Sequence, residues 1–133
     1  PELQHPEGSR LLRALLVELE RLAPFKKNAL VDKVRAFISS KISEPLTLDD
    51  LAAVACMSKY HFIRQYQALT GRTPMDDVKS LRVEEARRLI VTTNLPLHKI
   101  APQVGITNEY HLSRLLKDHL GVGVRELRQH SRE

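Results

Sequence analysis

Apolar residues recur along this chain at the three- and four-residue spacing of helix faces rather than in the alternation of strands. Leu30, Val34, Phe37 and Ile38 make one such face and predict a helix from Leu30 to about Ser40. Ahead of it, Leu11, Leu12, Leu15, Leu16, Leu19 and Leu22 form a broad leucine face from Ser9 to about Leu22, after the loop-like Pro1 to Gly8 and before Pro24. That face either packs on its own domain or serves dimerisation or an upstream domain. Thr73-Pro74-Met75-Asp76-Asp77 joins an N-cap, a proline at the first helical position and acids in the first turn, a strong helix start. The helix it opens carries Val78, Leu81, Ala86, Leu89 and Ile90 on one stripe to about Val91, where Thr92-Thr93-Asn94-Leu95-Pro96 breaks it. Roughly 18 residues at about 1.5 Å each make this connector about 27 Å long.

On either side of the connector the sequence repeats itself. Tyr60-His61-Phe62-Ile63-Arg64-Gln65-Tyr66 and Tyr110-His111-Leu112-Ser113-Arg114-Leu115-Leu116 share the pattern Tyr-His-apolar-x-Arg-x-apolar, fifty residues apart, and Gly71 and Gly121 keep that offset. Upstream the offset is one shorter: Leu48, Leu51, Ala52 and Ala55 answer to Leu97, Ile100, Ala101 and Val104, and Cys56 to Gly105. One residue is therefore gained inside the second turn. Each copy reads as a short helix, a tight turn and a longer helix. Thr47 before Asp49-Asp50, then Ser58 and Asn108, stand at helix starts, and Gly71 and Gly121 suit the left-handed position that ends the longer helices.

Composition narrows the possibilities. At 133 residues and 15.2 kDa the chain holds one domain or two very small ones sharing a core. Five Gly, seven Pro, 42% apolar and 28% charged residues exclude disorder and collagen-like repeats. One Cys cannot close an internal disulfide and no Cys/His set has zinc spacing, so a secreted disulfide scaffold and a zinc module are not supported, and a reducing cytoplasm fits. No apolar run approaches the roughly 18 residues of a membrane span, and the start lacks the basic and apolar regions of a signal peptide. The absent initiator Met suggests a fragment of a longer chain with an upstream domain. The net charge is +5; residues 1–25 carry three basic and four acidic side chains, so the positive charge lies in the remainder. That favours a polyanionic partner.

Two helices joined by a tight turn are the unit that lays its second helix in the DNA major groove, and dimers usually supply two such units. Here one chain carries both, and the connector suits entry into successive major grooves about 34 Å apart on one DNA face. A direct repeat suits a non-palindromic site. Nothing in the chain has the spacing of a Walker loop, a dinucleotide-binding turn or a nucleophile elbow, so no catalytic residue, metal or cofactor is expected. His61 and His111 lack the i+4 partner that a tetrahedral metal site needs, and Cys56 reads as a small turn residue.

Over roughly residues 30–130 the chain resembles the AraC/XylS family of transcription regulators. The resemblance rests on Leu48-Asp49-Asp50-Leu51-Ala52, Ser58 through Arg64, Gly71-Arg72-Thr73-Pro74, Arg82-Val83-Glu84-Glu85-Ala86-Arg87-Arg88-Leu89, Ile100-Ala101 through Gly105, Leu112-Ser113-Arg114 and Leu116-Lys117. Several positions depart from the family pattern. Ile106, Leu112 and Leu116 replace aromatics, Cys56 replaces a turn glycine, and Gly121-Val122-Gly123-Val124-Arg125-Glu126-Leu127-Arg128 lacks the usual proline.

The resemblance implies an all-α fold of two helix-turn-helix (homeodomain-like) subdomains joined by a long connector helix, plus an extra N-terminal helix. It divides the chain into an N-terminal segment 1–27 and a DNA-binding domain 28–133, the latter into a first unit 28–72, a connector 73–92 and a second unit 93–133. It also implies that Ser58, Lys59, Tyr60, Ile63 and Arg64 of the first recognition helix meet DNA, and Asn108, Glu109, Tyr110, Ser113 and Arg114 of the second. Arg64 suits guanine, Ile63 or Tyr60 a thymine methyl, and Glu109 a cytosine amino group or no contact at all. Lys59 suits phosphate, with Arg72, Thr73 and Lys117 as further phosphate anchors. Lys79, Arg82, Arg87 and Arg88 fall on the connector, where Arg82 is expected to pair across to another helix. The implied protein is a cytoplasmic, nucleoid-associated activator that contacts RNA polymerase and dimerises through the N-terminal helix or an upstream domain. A helical protein-interaction module using the leucine face, and a non-specific architectural DNA binder, are the alternatives.

Overall fold

The computed structural model describes residues 29–131; the leucine-rich stretch from Leu11 to Leu22 and the boundary at residue 27 lie outside them. All regular structure among the described residues is helical: residues 29–40 (α1), Leu48–Val54 (α2), Lys59–Thr70 (α3), Pro74–Thr92 (α4), Leu97–Gln103 (α5), Glu109–Leu120 (α6) and Val124–Ser131 (α7). The predicted capping residues lie at the predicted ends. Thr47 and Thr73 close reciprocal capping boxes with Asp50 and Asp76: each threonine hydroxyl accepts from the aspartate amide, and each carboxylate accepts from the threonine amide and complements the helix dipole. Gly71 and Gly121 end α3 and α6 at φ 74° and 76°, a conformation glycine adopts without steric cost. Pro102 falls inside α5 and removes the amide that would bond the His98 carbonyl. Both residues are exposed, where water can take that carbonyl, and the short helix tolerates the loss.

The core is two hydrophobic clusters that share α4. Val31, Val34 and Ile38 of α1, Leu51 and Ala52 of α2, Phe62 and Tyr66 of α3 and Val78 of α4 bury together. Val83, Ala86 and Ile90 of α4 bury with Ile100, Ala101, Val104, Ile106, Leu112, Leu116 and Leu127. The internal repeat thus runs farther than its motifs. Val31, Val34 and Ile38 are answered, 52 residues on, by Val83, Ala86 and Ile90, while Phe62, Tyr66, Pro74 and Asp77 are answered at the fifty-residue offset by Leu112, Leu116, Val124 and Leu127. Expected as a link between the units, α4 is also a wall of both: its first half plays for the first unit the part that α7 plays for the second, and its second half plays the part of α1. The buried stripe accordingly includes Val83, absent from the predicted one, and leaves Leu81 and Leu89 half-buried.

One buried position is charged. Asp77, 2% exposed, accepts from the Tyr66 hydroxyl in a short hydrogen bond, takes Arg35 Nε and Nη2 at 3.0 Å each and pairs with Arg72 Nη1 at 3.2 Å. Arg72 Nη2 also reaches the Asp76 carbonyl at 3.1 Å and, in a short contact, Ser80 Oγ. A buried carboxylate persists only with its lone pairs engaged, and here the engagement ties α1 and α3 to α4. Burial first, then the Asp77 hydrogen bond and charge, push the Tyr66 phenol well above its ordinary range. Burial works against the Arg35 charge, but the Asp77 hydrogen bond and charge outweigh it and hold that guanidinium above its usual range.

Candidate nucleic-acid interface

The two turns are built alike. In the first, α2 ends at Val54, Cys56 takes φ 56° and Met57 N–H donates back to the Ala52 carbonyl at 3.0 Å. In the second, Gly105 takes φ 76° and Ile106 N–H donates to the Ala101 carbonyl at 2.9 Å. The extra residue of the second turn follows the left-handed position: one residue separates Cys56 from the N-cap Ser58, and two, Ile106 and Thr107, separate Gly105 from the N-cap Asn108. Ile106 is buried, so the insertion feeds the second core. Ser58 Oγ accepts from His61 N–H at 3.3 Å and Asn108 Oδ1 from His111 N–H at 2.9 Å, which starts each longer helix at the same point of its repeat.

Burial of one face fixes what the other presents. Phe62 and Tyr66 on α3, and Leu112 and Leu116 on α6, are wholly buried, and residues four apart share a helix face. Tyr60 and Tyr110 therefore stand out at 73% exposure each. Beside them Ser58, Lys59, Arg64, Asn108, Ser113, Arg114 and Lys117 are exposed, while Ile63 and Glu109 are half-buried. Among the described residues, Lys59, Arg64, Arg114 and Lys117 make no ion pair within the chain. Their charge is open to an external partner.

The expected anchors Arg72 and Thr73 stand differently. Arg72 is held by Asp77, Asp76 and Ser80 as described, and Thr73 Oγ1 accepts from Asp76 N–H while its own N–H donates to Asp76 Oδ2. Both are engaged inside the fold, because the turn between α3 and α4 brings them against the first acids of α4. On the connector, Arg87 pairs with Glu84 at 3.5 Å and Arg88 with Glu85 at 2.6 Å. Arg82 leaves Glu85 to Arg88 and reaches the Glu44 carbonyl at 2.9 Å, with its guanidinium pushed below its usual range by burial. Lys79 stays exposed, at the rim of a cleft of about 150 Å³ that Arg82, Thr107 and His111 also line. No group of three metal-ligating side chains occurs among the described residues.

Two residues shape the site through tertiary contacts that their motifs do not announce. Asp77 steadies α3 from behind; its signal is a carboxylate at a repeat position whose partner, Leu127, is apolar. Gly105 approaches Ile42 of the first unit, and no local pattern marks that.

The sequence profile of the helix-turn-helix domain family matches residues 51–132. The chain belongs to the AraC-type helix-turn-helix family. This AraC-type chain is 32% identical over 123 residues to the MmsAB operon regulatory protein of Pseudomonas aeruginosa, covering 92% of the chain and 40% of that protein. It is 29% identical over 131 residues to the bifunctional transcriptional activator/DNA repair enzyme AdaA of Bacillus subtilis, covering 96% and 62%. The chain thus spans about two to three fifths of the length of these relatives. Its fold matches the DNA-binding domain of AdpA, solved in complex with a target DNA, at a TM-score of 0.70 and 28% identity over 77% of this chain and 92% of that one. A transcriptional regulator from Chromobacterium violaceum with an AraC-type domain shares the fold at a TM-score of 0.74 and 24% identity, covering 78% and 93%. No helix among the described residues is long and apolar enough to cross a membrane.

Proposed function

We propose that this AraC-type domain binds double-stranded DNA sequence-specifically as part of a bacterial transcription regulator, laying α3 and α6 in two successive major grooves. The observation that carries this is the repeated outward face: an exposed tyrosine and an unpaired arginine at matching positions of two helices, each backed by a buried apolar pair. An unpaired guanidinium can take both acceptors of a guanine edge, and a half-buried Ile63 can meet a thymine methyl. Lys59 and Lys117, with the first amides of α3 and α6, suit phosphates that set register without reading sequence. Ser58, Asn108, Ser113 and Tyr110 complete the two faces, and Glu109 accepts from cytosine or turns aside. Arg72 and Thr73 hold α4 in place beside this surface, and the part-exposed Arg72 guanidinium remains open to a phosphate.

In this reading the chain is a non-enzymatic regulator, an activator that contacts RNA polymerase in the cytoplasm at the nucleoid, and the segment containing Leu11–Leu22 or an upstream domain provides dimerisation. Selection of bound DNA from a random duplex pool, followed by affinities at fixed salt, tests it. An asymmetric two-element site is expected. The single substitutions Arg64→Glu and Arg114→Glu are each expected to lower affinity for it by at least about tenfold, the size of a lost bidentate base contact, with the melting curve unchanged. Equal affinity for every duplex would favour an architectural binder, and no binding would favour a protein-interaction module.

A further inference from the structure

The two units meet away from α4 at one tight place. An added Cβ on Gly105 would lie 2.4 Å from the Ile42 carbonyl oxygen and 3.0 Å from the Arg82 guanidinium, so this turn of the second unit lies directly on the loop between α1 and α2. Arg82 Nη2 donates to the Glu44 carbonyl of the same loop at 2.9 Å, and Arg82 Nε is buried there without a partner. Each side is anchored in its own core: Ile42 packs against the first cluster, and Val104 and Ile106, flanking Gly105, are buried in the second. Arg82 itself sits between Val78 of one cluster and Val83 of the other. A shared helix alone leaves two bodies free to swing as that helix bends, whereas a second contact off the helix axis fixes the angle between them.

Resting on the DNA-binding reading above, we propose that the Arg82–Gly105–Ile42 seam is a ruler: it sets the separation and mutual angle of α3 and α6, and so the number of base pairs the protein requires between its two DNA elements. Arg82 and Gly105 are positioning residues for specificity, acting without touching a base. One inserted base pair shifts the second element by roughly 3.4 Å and turns it by about a tenth of a turn, which a fixed seam cannot follow.

The test uses the site selected by the wild-type chain and a series in which the gap between its elements is lengthened or shortened by one and two base pairs. The wild type is expected to lose about tenfold or more in affinity per step, the size of a mismatched base pair. Arg82→Met and Gly105→Ala are expected to flatten the profile, so that neighbouring spacings bind within about threefold of the best. Gly121→Ala is the control, since Gly121 has the same φ of 76° with nothing within 4 Å of an added Cβ; it shares the backbone strain and is expected to keep the sharp profile. Equally sharp profiles in all four proteins overturn the ruler while leaving the DNA reading intact. A wild type that selects no two-element site overturns the reading itself. Should the variants fail to fold, spin labels on the exposed Gln67 and Asp118, in a Cys56→Gly background, decide the matter in the otherwise native chain. One narrow distance distribution supports the seam, and a broad one overturns it.

Discussion

Cys56 occupies at φ 56° the turn position that Gly105 fills at φ 76° in the second unit, and it is the only non-glycine residue with positive φ among those described. A side chain in the left-handed region costs roughly 1–2 kcal/mol, partly offset because glycine surrenders about 0.5–1 kcal/mol more chain entropy on folding. Cys56→Gly is therefore expected to stabilise the chain by about 0.5–1 kcal/mol, raising Tm by about 2–6 °C in a thermal melt. A lowered midpoint would show that the thiol makes up for the strain. The same scale explains which site residues were legible in advance. Tyr60, Arg64, Tyr110 and Arg114 could be placed outward because the apolar residues at i and i+4 on their own helices fix the inner face. Arg72 could not be separated from a free cation, because Asp77 is only five residues on and it is the geometry of the turn into α4, not the spacing, that brings the carboxylate against the guanidinium.

Among elements, the junction of α3 with α4 differs from its counterpart in the second unit. Leu116 and Leu127, members of one buried apolar cluster, hold the positions of Tyr66 and Asp77 in the first unit, so the second recognition helix is backed by an apolar cluster and the first by a hydrogen-bonded carboxylate. This gives the first unit a pH signature. Burial and the Asp77 hydrogen bond raise the Tyr66 phenol above its ordinary value of 10.0. An unfolded tyrosine releases its proton near pH 10 while the folded one keeps it. Above that pH the native state binds more protons, and stability falls as pH rises, by up to about 1.4 kcal/mol per pH unit; below it the contribution is complete. Tyr66→Phe is expected to be about 1.5–3 kcal/mol less stable near neutral pH, the worth of a hydrogen bond to a charged group, and the gap to wild type should narrow from about pH 10 upward. Urea melts between pH 8 and 11 measure this, and a gap independent of pH would remove Tyr66 from the linkage.

For the molecule as a whole, the sharing of α4 joins the two units thermodynamically. Val78 buries in one cluster and Val83, Ala86 and Ile90 in the other, so neither core survives if the helix melts. Ala86→Gly, in the second half of α4, is expected to cost about 1–2 kcal/mol from helix propensity and a lost buried methyl. It should lower the protection of α2–α3 amides together with that of α6–α7 amides in hydrogen exchange, within a single unfolding transition. Two separate transitions, with the first unit untouched, would make the units independent folds on a common rod.

What the sequence by itself determined is what local spacing carries: helices α1 to α6, the caps of α2, α3, α4 and α6, the two turns and the inward and outward faces of α3 and α6. These follow from helical periodicity and from side-chain oxygens within three residues of the amides they satisfy. The tertiary structure decided the rest. It divided α4 between two cores, drew Arg35 onto Asp77, and laid Gly105 against Ile42 with Arg82 between. Each of these joins groups far apart in sequence, and short-range patterns do not encode the distance between residues that only packing brings together.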